Sequence, residues 1–324
     1  MKTNKMTWVK FFGTLAFACC LSITAQGQKT GKLSNVERLT NDGERYINLQ
    51  WSPDGSKLAF AKEGFEGGIE VLDMATKTRT KVTDVADAGM FFQWSADSKE
   101  ILFRDTKWTN GERTHALYVT DLKGQKQQVS QPQRYLQPAS WRYAANGTKS
   151  VFTKDGNIMK QPNLPTLNAS MTKSVTASKK ANITTYNDAD AQKFYLIDEN
   201  GKQILLNNDF GLESQISPNG KKIIFNDNDY LILMDTDGKN RRDLGMGFRA
   251  NWLNDNQIVY ELTTDNGHVY TGGELYMVNI DGTNRVQLTN TSDKIEMYPT
   301  WNANTQKLAF ISQVDGQIYV ADLK

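Results

Sequence analysis

The feature that most constrains the fold is a ten-residue unit, Trp51-Ser-Pro-Asp-Gly-Ser-Lys-Leu-Ala-Phe60, that returns along the chain. Ser52-Pro53-Asp54-Gly55 suits a type I turn, with Pro at its second position and Gly at its fourth. The residues on either side alternate as a covered strand does, so the unit reads strand, tight turn, strand. Trp94–Phe103 and Trp301–Phe310 are close copies, and Ile216–Phe225 carries Ile in place of Trp. Trp252–Tyr260 is one residue shorter and Trp141–Phe152 two longer. A unit of strands and turns recurring every 35–50 residues or so cannot bury its apolar face alone, and stacks into a solenoid, propeller or array.

A second strand pair gives an independent count. The hairpins are Lys57–Ala61 with Ile69–Asp73, Glu100–Arg104 with Ala116–Asp121, and Lys149–Thr153 with Asn157–Gln161. They continue as Ala181–Tyr186 with Lys193–Asp198, Lys222–Asn226 with Tyr230–Asp235, Gln257–Leu262 with Glu274–Ile280, and Lys307–Ser312 with Gln317–Asp322. Seven such pairs predict an all-β, closed β-propeller of seven four-stranded blades. Here Ser174–Lys180 is a degenerate first-strand turn that has lost its Trp. Six blades, with residues 162–180 as an insertion, is the alternative. Val36–Thr40 resembles the closing strand of other units yet precedes the first one, while the last unit stops after its third strand. The two gaps match, so the N-terminal strand is expected to complete the last blade and remove an open edge.

Residues 1–25 read as a signal peptide: Lys2, Lys5 and Lys10, an apolar run from Phe11 to Ile23, and Ile23-Thr24-Ala25 as cleavage site. Lipid attachment at Cys19 or Cys20, the only two cysteines, is the competing reading. Without the leader the 38 basic residues become 35 against 36 acidic ones. A near-neutral chain gives no electrostatic case for nucleic acid or an anionic membrane. The apolar run is short for a membrane span. The expectation is a periplasmic or secreted monomer, with a loose segment over 26–35 and one propeller domain over 36–324.

The Trp-Ser-Pro-Asp-Gly core, the strands Leu117–Asp121 and Ile318–Asp322, and the Leu-Thr at blade ends resemble the repeats of TolB-type β-propeller proteins. The resemblance covers nearly all of the chain after the leader and implies an exported propeller. The α/β domain that precedes the TolB propeller has no counterpart here. The same repeats occur in binding proteins, in peptidase propeller domains and in oligogalacturonate lyases. An oligogalacturonate-lyase-like polysaccharide lyase is therefore the enzymatic alternative.

No complete catalytic set can be written. Gly-x-Ser-x-Gly is absent, and His115 and His268, the only histidines, have no ligand set around them. Neither a metal nor another cofactor is expected. The repeated Trp residues are expected to pack between blades. Counting back three places from each Trp position puts Asn48, Phe91, Pro138, Glu213, Arg249 and Tyr298 at the channel mouth. The candidate binding residues are Arg45, Tyr46, Phe91, Trp108, Arg134, Tyr135, Glu213, Phe248, Arg249, His268, Tyr270, Glu296 and Tyr298. They lie on or beside segments 41–46, 84–90, 104–115, 131–137, 245–249, 262–273 and 290–297. Mixed aromatic, Arg and acidic residues on a concave mouth suit a protein or glycan of the cell envelope. The stretches Arg104–His115 and Leu262–Gly273 are expected to be long loops on that face.

Overall fold

A computed structural model describes residues 33–64, 67–85, 88–134, 136, 139–143, 149–153, 158–160, 182–188, 191–198, 200 and 202–324. Residues 1–32, which include the expected leader, and residues 161–181 lie outside it. Every sheet is antiparallel, and the described strands form seven sheets. The first holds Tyr46–Trp51, Lys57–Lys62, Ile69–Asp73 and Arg79–Thr83; the second Phe92–Trp94, Glu100–Thr109, Glu112–Asp121 and Lys126–Gln128. The third, Ala139–Tyr143, Lys149–Thr153 and Ile158–Lys160, and the fourth, Thr184–Asp188, Lys193–Ile197 and Gln203–Asn207, have three described strands each. The fifth holds Leu212–Ile216, Lys222–Asp227, Tyr230–Asp235 and Arg242–Met246; the sixth Phe248–Asn254, Gln257–Asp265, Tyr270–Asn279 and Val286–Gln287. The seventh combines Glu296–Asn302, Lys307–Ser312 and Gln317–Leu323 with the N-terminal strand Leu33–Arg38. The fold is an all-β propeller. The expected set of seven four-stranded blades is met only in part, since five sheets have four described strands. Residues 162–180, the insertion of the six-blade alternative, lie outside the described residues.

Ring closure follows the expected route. Leu33 pairs with Leu323 and Arg38 with Tyr319, so the strand begins three residues earlier than the sequence suggested. Leu39 N–H donates to the Ile318 carbonyl at 2.8 Å, and Ile318 N–H to Thr40 Oγ1 at 3.0 Å.

The repeated unit folds as its residues dictate. Gly55 N–H donates to the Ser52 carbonyl at 2.8 Å. The Ser52 hydroxyl donates to Asp54 at 2.6 Å and accepts the Lys57 N–H at 2.9 Å. Gly55 sits at φ 74°, the left-handed region that glycine enters freely. The fifth sheet repeats the turn, with Gly220 N–H on the Ser217 carbonyl at 2.9 Å.

The core lies between sheets. Trp51, Leu58 and Phe60 pack against Ala309, Ile311 and Ile318 across the seam between the first and seventh sheets. Similar clusters fill five more seams, such as Phe194 and Leu196 against Ile223 and Phe225 between the fourth and fifth. Trp51, Trp94, Trp141 and Trp252 are buried, and Trp301 is half-buried. The buried indoles also hydrogen-bond across the seams. Trp51 Nε1 donates to the Thr300 carbonyl (3.1 Å), Trp94 to Gln50 (3.2 Å), Trp141 to Gln93 (3.3 Å) and Trp252 to Gln215 (3.1 Å). Each acceptor is the residue just before the Trp position of the preceding full repeat. Ser140 meets Thr184, and Thr185 Oγ1 meets Ser214 Oγ at 2.8 Å, linking the third, fourth and fifth sheets. Trp301 N–H donates to Asn251 Oδ1 at 3.2 Å. The circuit therefore runs round all seven sheets. It also places Thr184–Asp188, expected as a middle strand, beside the innermost strands of its neighbours.

One seam holds charge. Lys149 is fully buried, with its ammonium 2.9 Å from Asp97 and 2.6 Å from Glu100. Removing one partner of such a group would leave a buried charge uncompensated.

Candidate binding face and channel-mouth cluster

In an antiparallel four-stranded sheet, the start of the first strand, the hairpin between the middle strands and the end of the fourth lie at one end. The candidate segments all belong to that end. Two hairpins project from it. The strands Glu100–Thr109 and Glu112–Asp121 have 10 residues each, and Gln257–Asp265 and Tyr270–Asn279 have 9 and 10, against 5 or 6 in most other middle strands. Four extra residues extend a strand by about 13 Å. Arg104–His115 and Leu262–Gly273 are thus paired arms rather than loops. In the first, Trp108 faces Arg113 and Thr109 faces Glu112, and Asn110-Gly111 turns the chain at φ 52° and 80°. Asn-Gly is the favoured dipeptide for such a two-residue hairpin. That signal stood in the sequence and identifies the arm.

Trp108 is 69% exposed with the Arg113 guanidinium 5.9 Å from its ring centre. Phe91 is 55% exposed beneath the Arg104 guanidinium at 4.4 Å. Arg134 is exposed nearby, and Tyr135 lies outside the described residues. On the second arm His268 is exposed in the tip and Tyr270 partly so. His115 is buried in its strand, with Nδ1 2.9 Å from Thr106 Oγ1.

Candidate channel-mouth positions share a backbone device. Asn48, Glu213, Arg249 and Tyr298, each three residues before a Trp position, have φ of 55°, 52°, 50° and 57°. The pairing register slips at each of these sites, as in a β-bulge. Left-handed φ is costly for residues with a Cβ, of order 1 kcal/mol or more each, and persists only where the surroundings impose it. The bulges re-aim the side chains, and three of the four converge. Glu213 accepts the Arg249 backbone N–H at 2.9 Å and stands 3.1 Å from Arg249 Nε. Arg249 also pairs with fully buried Glu261, whose other oxygen accepts the Tyr298 N–H at 2.5 Å. The guanidinium lies over the Tyr298 ring at 4.2 Å. Burial pushes the Glu261 carboxyl up to about 7, against the pull of Arg249. Phe248, half-buried, opens the strand that carries Arg249. Glu261 was missed in the sequence because nothing there distinguishes it from any other strand glutamate.

Other candidates are framework. Tyr46 is 1% exposed, edge-on to Phe60, and its hydroxyl donates to Asp42 at 2.6 Å. Arg45 pairs with Glu63 at 2.6 Å and reaches the Gln313 carbonyl at 2.9 Å. Glu296 is buried, and burial pushes its carboxyl up to about 7. Among the described residues no helix is long and apolar enough to cross a membrane, and no group of three or more His, Cys, Asp or Glu is placed to hold a metal ion.

No family model matches the chain, and no curated protein does. Solved structures do. The propeller domain of Cps50 (Swd1) from Myceliophteria thermophila shares 11% identity at a TM-score of 0.54, over 91% of this chain and 100% of that one. A protein designated TolB from Agrobacterium tumefaciens shares 15% identity at 0.52, over 89% and 96%. TolB from Acinetobacter baumannii shares 20% identity at 0.51, over 78% of this chain, which spans only 56% of that protein. At these identities the likeness shows the fold, a β-propeller of the kind that TolB proteins contain.

Proposed function

We propose that the chain is an exported, monomeric binding propeller without catalysis of its own, and that it takes a protein partner on the arm-bearing end. One observation carries this reading. Of the twelve large apolar residues exposed among those described, all but Val36 and Leu205 lie at that end. They are Met90, Phe91, Trp108, Phe210, Leu212, Tyr230, Met246, Val269, Tyr270 and Val314. Apolar surface gathered on one face and rimmed by charge marks an interaction site. A glycan would be met chiefly by flat rings, whereas Met90, Leu212, Met246, Val269 and Val314 are aliphatic, which favours protein.

The experiment is capture from an envelope extract by Trp108→Ala, Tyr270→Ala and the double variant. These side chains are exposed, so melting temperatures should stay within a few degrees of the parent while capture drops at least tenfold for a central aromatic contact. Retention of a glycan instead of a protein would shift the reading to the glycan. Turnover of acidic oligosaccharides by the purified protein, lost on Glu213→Gln, would overturn it in favour of a lyase.

A further inference from the structure

The base of the second arm brings two carboxylates, Glu274 and Glu296, onto one residue. Glu296 is 1% exposed; its Oε1 accepts the Thr291 hydroxyl at 2.7 Å, and its Oε2 is buried with no hydrogen-bond partner. Glu274 accepts the Thr291 backbone N–H at 3.0 Å through Oε1, and its Oε2 is likewise buried and unpartnered. One residue, Thr291, therefore holds both carboxyls, each with one oxygen left over. The approach is tight: a Cβ on Gly273 would stand 2.7 Å from Ile295 Cγ2 and 3.4 Å from the Glu296 carbonyl. The Lys294 ammonium, whose charge reaches Glu296, lies 4.6 Å from the centre of the Tyr319 ring. Among the described residues neither glutamate has an ion pair with Lys or Arg at 4.0 Å or less. A buried carboxylate oxygen without a donor is costly, and a bound cation is one way such a group is satisfied.

We propose that Glu274 and Glu296 form a calcium site that braces the second arm against the segment before Glu296. The two donors are carboxylate oxygens, which selects a hard divalent ion, and a site that other oxygens must complete suits the flexible coordination of Ca²⁺ better than the strict octahedron of Mg²⁺. The site is independent of what the arm-bearing end binds.

The test titrates CaCl₂ into chelator-treated protein by calorimetry and follows thermal unfolding in EDTA and in millimolar calcium. Saturable heat at about one equivalent and a rise of a few degrees in melting temperature are expected, following from binding to the folded state alone. Both signals should vanish in Glu296→Gln and weaken in Glu274→Gln. Gln keeps the shape of the side chain and removes its charge, and melting of each variant in EDTA confirms that it folds. Equal melting temperatures with and without calcium in the wild type would overturn the site. So would a calcium response that survives Glu296→Gln. Stabilisation by acid but not by calcium, lost in Glu296→Gln, would show that a proton rather than a metal satisfies the pair.

Discussion

Arg249 shows how one side chain can look like a ligand contact and be part of the frame. Its distance from Trp252 makes it a channel-mouth candidate, and its side chain meets two carboxylates. There it neutralises Glu261, whose side chain has no exposure, while Glu213 caps its backbone. Arg249→Ala is therefore expected to destabilise the fold by about 3–5 kcal/mol, since it leaves a buried carboxylate alone. Chemical denaturation would check this, with an Arg249→Ala, Glu261→Gln double variant recovering much of the loss. The substitution is a poor probe of binding for the same reason. Glu296 makes a prediction with pH. Its carboxyl is protonated below about 7 in the fold and below its ordinary value of 4.5 in the unfolded chain. The folded state thus holds the proton more tightly, so this stability is present below pH 4.5 and is lost as pH rises through 7. With calcium chelated, Glu296→Gln should flatten part of that fall, and Glu261 should retain the rest.

At the scale of the element, the two arms separate structure from recognition. Pairing continues past the rim because Thr106, Trp108, Thr109 and Thr114 are β-branched or aromatic residues that favour strands, and Asn110-Gly111 closes the hairpin. Among the described residues, no side chain of the tip belongs to a core cluster at a seam. Deleting Trp108-Thr109 and Glu112-Arg113 keeps the hairpin parity and brings Lys107 opposite Thr114 next to the turn. The shortened protein should melt within a few degrees of the parent and lose partner capture. A large drop in melting temperature would show that the arm packs on the ring.

The whole molecule depends on closure. Deleting Leu33–Arg38 would strip the outer strand from the seventh sheet and expose the backbone edge of Gln317–Leu323. Open edges invite aggregation, so lower solubility and an earlier melting transition are expected by light scattering and calorimetry. An unchanged transition would count against the N-terminal strand as the closing element. The strand–turn–strand unit, the ring with its closing strand and the end that carries the long connecting segments were legible in the sequence, because turn chemistry and period-two alternation are local. The buried Trp residues were legible for the same reason. Only the tertiary structure decided which polar residues are spent on the frame. Tyr46, Arg45 and Glu296 sit in candidate segments, yet partners 4 to 268 residues away claim the hydroxyl of the first and the guanidinium of the second, and a neighbouring turn encloses the third. Burial and charge pairing are set by neighbours distant in the chain, and Glu261 becomes central only once the bulge at Arg249 turns a guanidinium toward it.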